Sequence, residues 1–296
     1  ICLEKRCSME SIEPGYHSRP RNWTDDLASG NDLVDQQHQK LLRRFEMLED
    51  ALKSGQAFAE VKALAAFLQR YVLTHFNTEE RYMLAGHYPG SAIHSGEHDQ
   101  CKRRIFQFKQ FIETESDRKK IIAVAYSMLA IWVREHILNH DGQCFQYLKH
   151  RKKAEAAVDI DYEWSPKSSK LWTPDFEIGI ENIDTQHRNL VMWTEYVQDA
   201  KSLSDEEIRQ LLDFIHGFIV THFTDEELLM MDIQFPDFEK HSELHYATRT
   251  KFFEVKEWVG QDLGAPDKRG MVLELFQAYV EHIEQYDTQF KKYFRS

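Results

Sequence analysis

The chain carries one pattern twice, and that repeat limits its fold more than any other feature. THFNTEERYM, starting at Thr74, returns as THFTDEELLM, starting at Thr221. NWTDDLASGNDLVDQQHQKLL from Asn22 aligns with LWTPDFEIGIENIDTQHRNLV from Leu171, and the histidines of SAIHSGEHDQ align with those of PDFEKHSELH. The separation is 187−38 = 149 at the first shared histidine, 147 at 75/222, 79/226, 94/241 and 98/245, and 146 at 136/282 and 141/287. So small a drift means that the intervening loops keep nearly equal lengths. A duplication on this scale predicts two domains of one architecture. They are residues 22–152 and 171–296, preceded by a tail at 1–21 and joined by a linker at 153–170.

Within each repeat the periodicity is helical. HQKLLRRFEMLEDAL places Leu41, Leu42, Phe45 and Leu48 three and four residues apart, the spacing of one helix face. FAEVKALAAFLQRYVLTHF and DRKKIIAVAYSMLAIWVREHIL follow the same rule without a glycine. Breaks fall at KSGQ, GHYPGS and TESD in the first repeat, and at KSLSD and GQDLGAPD in the second. No pair of stretches alternates as strands do. The predicted class is all-α, two tandem up-down four-helix bundles, because short connections favour antiparallel neighbours.

A formal charge of −12 argues against nucleic acid or an anionic membrane surface as partner, since phosphate binding needs clustered Lys and Arg. The one tight basic run, Lys149 to Lys153, reads as a solvated link. No apolar run approaches the roughly 20 residues that span a bilayer, and the first residues lack the apolar core of a signal peptide. Cys2, Cys7, Cys101 and Cys144 show no CxxC spacing and fit reduced thiols in a cytoplasmic protein.

The repeated polar residues occupy all four helices. The first repeat has His38, then His75 with Glu79, then His94 with His98, then His136 with Asp141 just beyond. The second has His187, His222 with Glu226, His241 with His245, and His282 with Asp287. A four-residue offset is about 40° of rotation and about 6 Å of rise, so both members of a pair reach one target. A lone histidine on a helix is ordinarily a surface or hydrogen-bonded core residue. Burying seven such groups without partners, twice, costs roughly 1–3 kcal/mol for each. Coordination to a metal removes that cost. Seven ligands exceed one tetrahedral zinc site, and imidazole-rich ligation disfavours calcium and magnesium. Two transition-metal ions bridged by the two carboxylates fit, with three histidines on one ion and two on the other, which keeps an open position.

In order, His, HxxxE, HxxxH and HxxxxD, with Trp23 or Trp172 and the DxxH lead-in at Asp35 or Asp184, resemble the hemerythrins, the non-haem di-iron oxygen-binding proteins. The chain resembles a tandem of two bacterial-type domains over nearly everything from Asn22 to Phe294. The resemblance implies one filled iron held by His94, His98 and His136, and an open iron held by His38 and His75, bridged by Glu79 and Asp141. It implies the same for His241, His245 and His282, for His187 and His222, and for Glu226 and Asp287. Four irons per chain, a bridging oxo or hydroxo group, and dioxygen held end-on as hydroperoxide at the open iron follow from it. One spacing is unexpected: five residues from His136 to Asp141 turn about 140° beyond a full turn on an ideal helix. His140 has the better offset, but Tyr286 stands at its equivalent, so the aspartate is the shared ligand.

The resemblance also places Val133 and Ile137, and Tyr279 and Ile283, beside the dioxygen position. Tyr279 departs from the apolar pattern. Its hydroxyl either faces the bound ligand or points to the bundle end with only its ring packed. Asp35 and Asp184 either orient a ligand imidazole or cap a helix. His17, His87, His140, His150 and His216 read as surface or packing residues, and Met83, Met230 and Met231 as core fillers. The implied function is reversible dioxygen binding rather than enzymic. The alternatives are an oxygen, redox or nitric oxide sensor, or a di-iron peroxidase, with an oxygen-consuming enzyme or a signalling protein as the unnamed partner.

Overall fold

The structure, a computed structural model, describes residues 20–128, 134–149, 169–260 and 267–294. Every regular element among them is helical, and no strand occurs among the described residues. The all-α expectation holds. Nearly all of the tail and of the linker, with Cys2, Cys7, His17 and His150, lies outside the described residues.

The first repeat opens with a 3₁₀ turn, Asp25–Leu27, and α1, Asp32–Ser54. Asn31 caps α1, its side chain accepting from the backbone N–H of Leu33 at 3.1 Å and Val34 at 3.2 Å. Gly55 ends it at φ +76°, its N–H returning to Ala51 and Leu52. Val34, Leu41, Leu42, Phe45 and Leu48 form the buried stripe, and His38 lies within it. Then come α2 (Ala57–Ala85), α3 (Ser91–Thr114) and α4 (Arg118–Ser127). The repeat ends with α5 (Arg134–His136), a π-helical segment (Ile137–Asp141) and α6 (Gly142–Lys149).

The second repeat begins with a 3₁₀ turn, Pro174–Phe176, and α7, Glu181–Asp199. It continues with α8 (Asp205–Asp232), α9 (Phe238–Gly260) and α10 (Lys268–Gln285), then a 3₁₀ segment (Asp287–Phe290) and α11 (Lys291–Phe294). Ser204 starts α8 with a capping box completed by Glu207. α7 packs on α8 and α10, and α9 packs on α8 and α10, the neighbour pattern of an up-down four-helix bundle. Leu190, Leu211, Ile215, Phe218, Phe252, Leu275 and Phe276 fill one end of its core. Ile183, Met230, Phe235 and Phe290 fill the other.

The compact units of the molecule do not follow the repeats. One unit takes in the described residues up to 64 and 111–145; the other takes in 65–110 and those from 146 onward. Within the second unit, the late part of α2 and all but the end of α3 lie against α8 and α9. Asn77 Nδ2 donates to Val220 O at 2.6 Å, Phe106 meets Phe238 with centroids 4.6 Å apart, and Gln110 donates to Glu239 at 2.6 Å. The break after α2 and that after α8 share a backbone device: His87 (φ +48°) and Gln234 (φ +52°), 147 apart, both take the left-handed conformation.

Candidate metal centres

The second repeat brings all seven of its expected ligands into one buried cluster. His187 comes from α7, His222 and Glu226 from α8, His241 and His245 from α9, His282 from α10, and Asp287 from the 3₁₀ segment after it. Their ligand atoms form two overlapping groups, each within 4.8 Å: Glu226, His241, His245 and His282, and His187, His222, Glu226 and Asp287. Both carboxylates span the groups. Asp287 Oδ1 lies 3.1 Å from His282 Nε2 and 3.3 Å from His241 Nε2, while its Oδ2 faces His187 at 3.4 Å and His222 at 3.6 Å. Glu226 Oε2 lies 3.2 Å from His245, 3.5 Å from His222 and 3.6 Å from His241.

The outer ring nitrogens decide what the inner ones offer. His187 Nδ1 pairs with the Phe176 carbonyl at 3.1 Å, His222 Nδ1 with Gln186 Oε1 at 2.9 Å, and His245 Nδ1 with Glu227 Oε1 at 3.1 Å. Each partner is an oxygen that accepts, so Nδ1 carries the proton and the Nε2 lone pair faces inward. Nε2 of His187, His222 and His245, with both carboxylate oxygens of Glu226 and of Asp287, is buried without a hydrogen-bond partner. Buried polar atoms are rarely left so. Inward lone pairs of imidazole and carboxylate are what a divalent transition metal binds, so the donor set fits two such ions.

The repeated HFxxEE stretch now has a use for each residue. His222 and Glu226 are inner donors. Phe223 stacks on His245, centroids 3.9 Å apart and planes within 5°, and Glu227 holds the outer nitrogen of that ring. Glu227 and Gln186 were not anticipated. The doubled glutamate in both copies was one available signal, and the Gln-His pair, Gln37–His38 and Gln186–His187 at the same offset of 186−37 = 149, was the other. Asp184 does not touch a ligand imidazole: it accepts from the N–H of Ile178 at 2.6 Å and Gly179 at 3.1 Å. It thereby pins the loop that carries the Phe176 carbonyl. Asp35 does the same, accepting from Ser29 N and Oγ at 2.7 Å each.

Charge in the cluster is lopsided without a cation. Burial pushes the pKa of His241 down, but Asp287 and Glu226 pull it up more strongly, to about 10. Burial pushes Glu226 and Asp287 up, yet the surrounding histidines hold both below the usual carboxylate range. The raised imidazole contributes stability that is fully present below about 6.5 and lost as pH rises through about 10. The depressed carboxylates contribute above their ordinary values of 4.5 and 3.8, and this is lost as pH falls through their lower folded values. Metal uptake near pH 8 is therefore expected to expel the His241 proton. A pH indicator in weak buffer reads this, and uptake without proton release contradicts the assignment.

The first-repeat residues fall into two sets, one in each compact unit. In the second unit, Glu79 lies between His75 Nε2 at 3.5 Å and His98 Nε2 at 3.2 Å, and the His94 and His98 rings are 4.5 Å apart. Phe76 stacks on His98 at 3.9 Å, and Glu80 Oε1 holds His98 Nδ1 at 3.0 Å, reproducing Phe223 and Glu227. In the first unit, Asp141 reaches His136 Nε2 at 3.1 Å through Oδ1 and His38 Nε2 at 3.2 Å through Oδ2. The π-helical segment resolves the awkward spacing. Its hydrogen bonds skip five residues rather than four, so Asp141 returns to the face of His136. His140 stacks on His136 at 5.3 Å.

Val133 lies outside the described residues, and Ile137 and Ile283 are buried. The Tyr279 hydroxyl donates to the Thr248 carbonyl on α9 at 3.5 Å, and its ring meets Phe218 edge-on at 5.9 Å. His216 is a core residue, buried against Phe252 and Phe253, where burial pushes its pKa well below 6.5. Met83 and Met230 are buried as expected, while Met231 is only partly covered. Cys101 and Cys144 are buried and not joined in a disulfide.

The sequence model of the family described as "Hemerythrin HHE cation binding domain" matches residues 29–148 and again 178–294. The chain is 26% identical over 148 residues to a bacteriohemerythrin of Pseudomonas paraeruginosa, covering 50% of this chain and 94% of that relative. It is 27% identical over 125 residues to a bacteriohemerythrin of Clostridium acetobutylicum, covering 41% and 95%. It is 27% identical over 120 residues to a myohemerythrin of Theromyzon tessulatum, covering 40% and 89%. Each relative thus corresponds to about one repeat. No solved structure gave a significant match. No helix among the described residues is long and apolar enough to cross a membrane.

Proposed function

The chain belongs to the hemerythrin family, and on that footing we propose that it binds dioxygen reversibly at two non-haem di-iron centres, one in each repeat. The supporting observation is the orientation of the second-repeat imidazoles, with outer nitrogens held by acceptors and inner nitrogens converging on two shared carboxylates. His241, His245 and His282 hold the filled iron, His187 and His222 the open one, and Glu226 and Asp287 bridge. By the register of the repeat, His94, His98 and His136, then His38 and His75, with Glu79 and Asp141, take these roles in the first repeat.

Two ferrous ions supply the two electrons that a dioxygen molecule takes up on binding. The chain does the rest. Neutral imidazoles add no negative charge, which favours return of those electrons over further oxidation. Ile283, Phe218, Phe223 and Tyr279 keep the second centre dry, and a dry site limits loss of reduced oxygen to solvent. Ile137 plays this part in the first repeat.

The test is a cycle of anaerobic ferrous protein, exposure to air, and return to argon. An absorbance that appears with oxygen and disappears on its removal is expected, together with two irons for the second repeat by its ligand grouping and two for the first by the register of the repeat. Stoichiometric zinc without iron overturns the metal assignment. Rapid irreversible oxidation in air transfers the reading to a sensor or a peroxidase. With its hydroxyl given to Thr248, Tyr279→Phe is expected to cost about 1 kcal/mol of stability. A large change in autoxidation rate in that variant returns the phenol to the oxygen position.

A further inference from the structure

The second unit holds a buried set of charges that belongs to neither ligand set. Glu80, Asp99, Lys102, Glu227 and Arg249 are all buried. Arg249 Nη1 donates to Glu80 Oε2 at 2.5 Å, and its Nε lies 3.6 Å from Asp99. Lys102 Nζ lies 3.7 Å from Glu227 Oε2 and 4.0 Å from Asp99. Lys102 and Arg249 are themselves a repeated pair, 249−102 = 147.

The pairing is exchanged between repeats. Glu80 accepts from the outer nitrogen of His98, yet the cation on Glu80 is Arg249, from the second repeat. Glu227 accepts from the outer nitrogen of His245, yet the cation on Glu227 is Lys102, from the first. Each cation stands four residues after a ligand histidine, Lys102 after His98 and Arg249 after His245. On α3 and α9 that puts ligand and cation one turn apart on one face. Each of these helices thus serves its own centre at one turn and the other repeat's centre at the next.

We propose that Arg249 and Lys102 are positioning residues that act across the repeats, Arg249 setting how firmly His98 binds its metal and Lys102 doing so for His245. A glutamate steadies an imidazole only if it is itself held and charged. In a site this dry, the guanidinium and the ammonium do the holding. Each metal centre therefore depends on a residue of the other repeat. Arg249, in hydrogen-bond contact at 2.5 Å, has the firmer grip; Lys102, at 3.7 Å, has the looser one. The larger effect belongs to Arg249.

This rests on the di-iron reading, and ferrous iron alone is the probe, so neither dioxygen nor its chemistry enters the measurement. Glu226→Ala serves as a background that retains iron only in the first repeat. In it, release of ferrous iron to a chelator under argon is timed with and without Arg249→Met. Release about tenfold faster is expected, the usual consequence of losing a partner behind a ligand histidine. Arg249→Lys should restore most of the retention, and Glu80→Gln combined with Arg249→Met should release no faster than Glu80→Gln alone. The reciprocal pair, Glu79→Ala with Lys102→Met, should speed release from the second repeat to a smaller degree. If Arg249→Met does not fold, Arg249→Gln removes the charge and keeps a hydrogen-bonding side chain. Unchanged release from a folded variant overturns the proposal, as do additive effects of Arg249→Met and Glu80→Gln. A parent protein that holds no iron overturns the di-iron reading instead.

Discussion

Replacing Glu226 with alanine is expected to strip both metal ions from the second repeat and halve the iron content of the chain. Glu226 is fully buried and belongs to both ligand groups of that repeat. Its Oε2 faces three imidazoles within 3.6 Å. Without it each ion loses an anionic ligand, and Asp287 alone must balance the charge of two cations. The change also opens a cavity where the carboxylate stood. Loss of the metal and the cavity together should cost the second bundle at least about 4 kcal/mol. For a domain of this size that lowers its melting temperature by about 15 °C. Glu226→Gln preserves volume but not charge, so it separates the two causes: iron lost and packing kept. Elemental analysis and calorimetry read these together, and an unchanged iron content in Glu226→Ala refutes the bridging role.

The same reasoning predicts how the metal-free bundle behaves. His187 and His241 are pulled above their ordinary values by Asp287 and Glu226, against the opposing effect of burial. The empty cluster therefore substitutes protons for metal charge. Protons on the imidazoles offset the charge of the carboxylates without tying four helices to one point, so the metal-free bundle keeps its helices while losing rigidity at the site.

The ligands were legible because metal chemistry restricts residue type and helix geometry restricts spacing. HxxxE and HxxxH, duplicated in register, left few alternatives for His75, Glu79, His94, His98 and their counterparts. The partners behind them were less so. Glu80 and Glu227 stood in plain view in the repeated HFxxEE, but no spacing rule says which ring on another helix a glutamate will meet. Lys102 and Arg249 repeat at the same interval, yet their meaning depends on a pairing across repeats that periodicity does not encode. Gln186 stands on α7 itself, whereas the Phe176 carbonyl is contributed by the lead-in ahead of it, whose loop the aspartates at 35 and 184 fasten. Helix periodicity also misplaced the last carboxylate, since it assumes a regular helix through Asp141 and Asp287.

That last carboxylate is reached by two backbone routes with one result. His136 Nε2 and Asp141 Oδ1 are 3.1 Å apart across the π-helical segment. His282 Nε2 and Asp287 Oδ1 are 3.1 Å apart across the end of α10, where Tyr286 leaves the helix (φ −120°) and a 3₁₀ segment begins. A π segment is an α-helix with one residue too many for its turn. Deleting His140 should let the first-repeat segment relax into regular α-helix and place the aspartate four residues after His136, about 40° away on the same face. Iron in the first repeat is then expected to persist. Inserting an alanine between Asn139 and His140 does the reverse. It pushes the aspartate a further 100° or so around, away from both His136 and His38, and the first-repeat iron should be lost while the second repeat keeps its own. Iron per chain, measured for both variants, distinguishes this from simple intolerance of length change. If deletion empties the first repeat as completely as insertion does, the π segment is not an extra residue in a regular helix, and the reading of Asp141 fails with it.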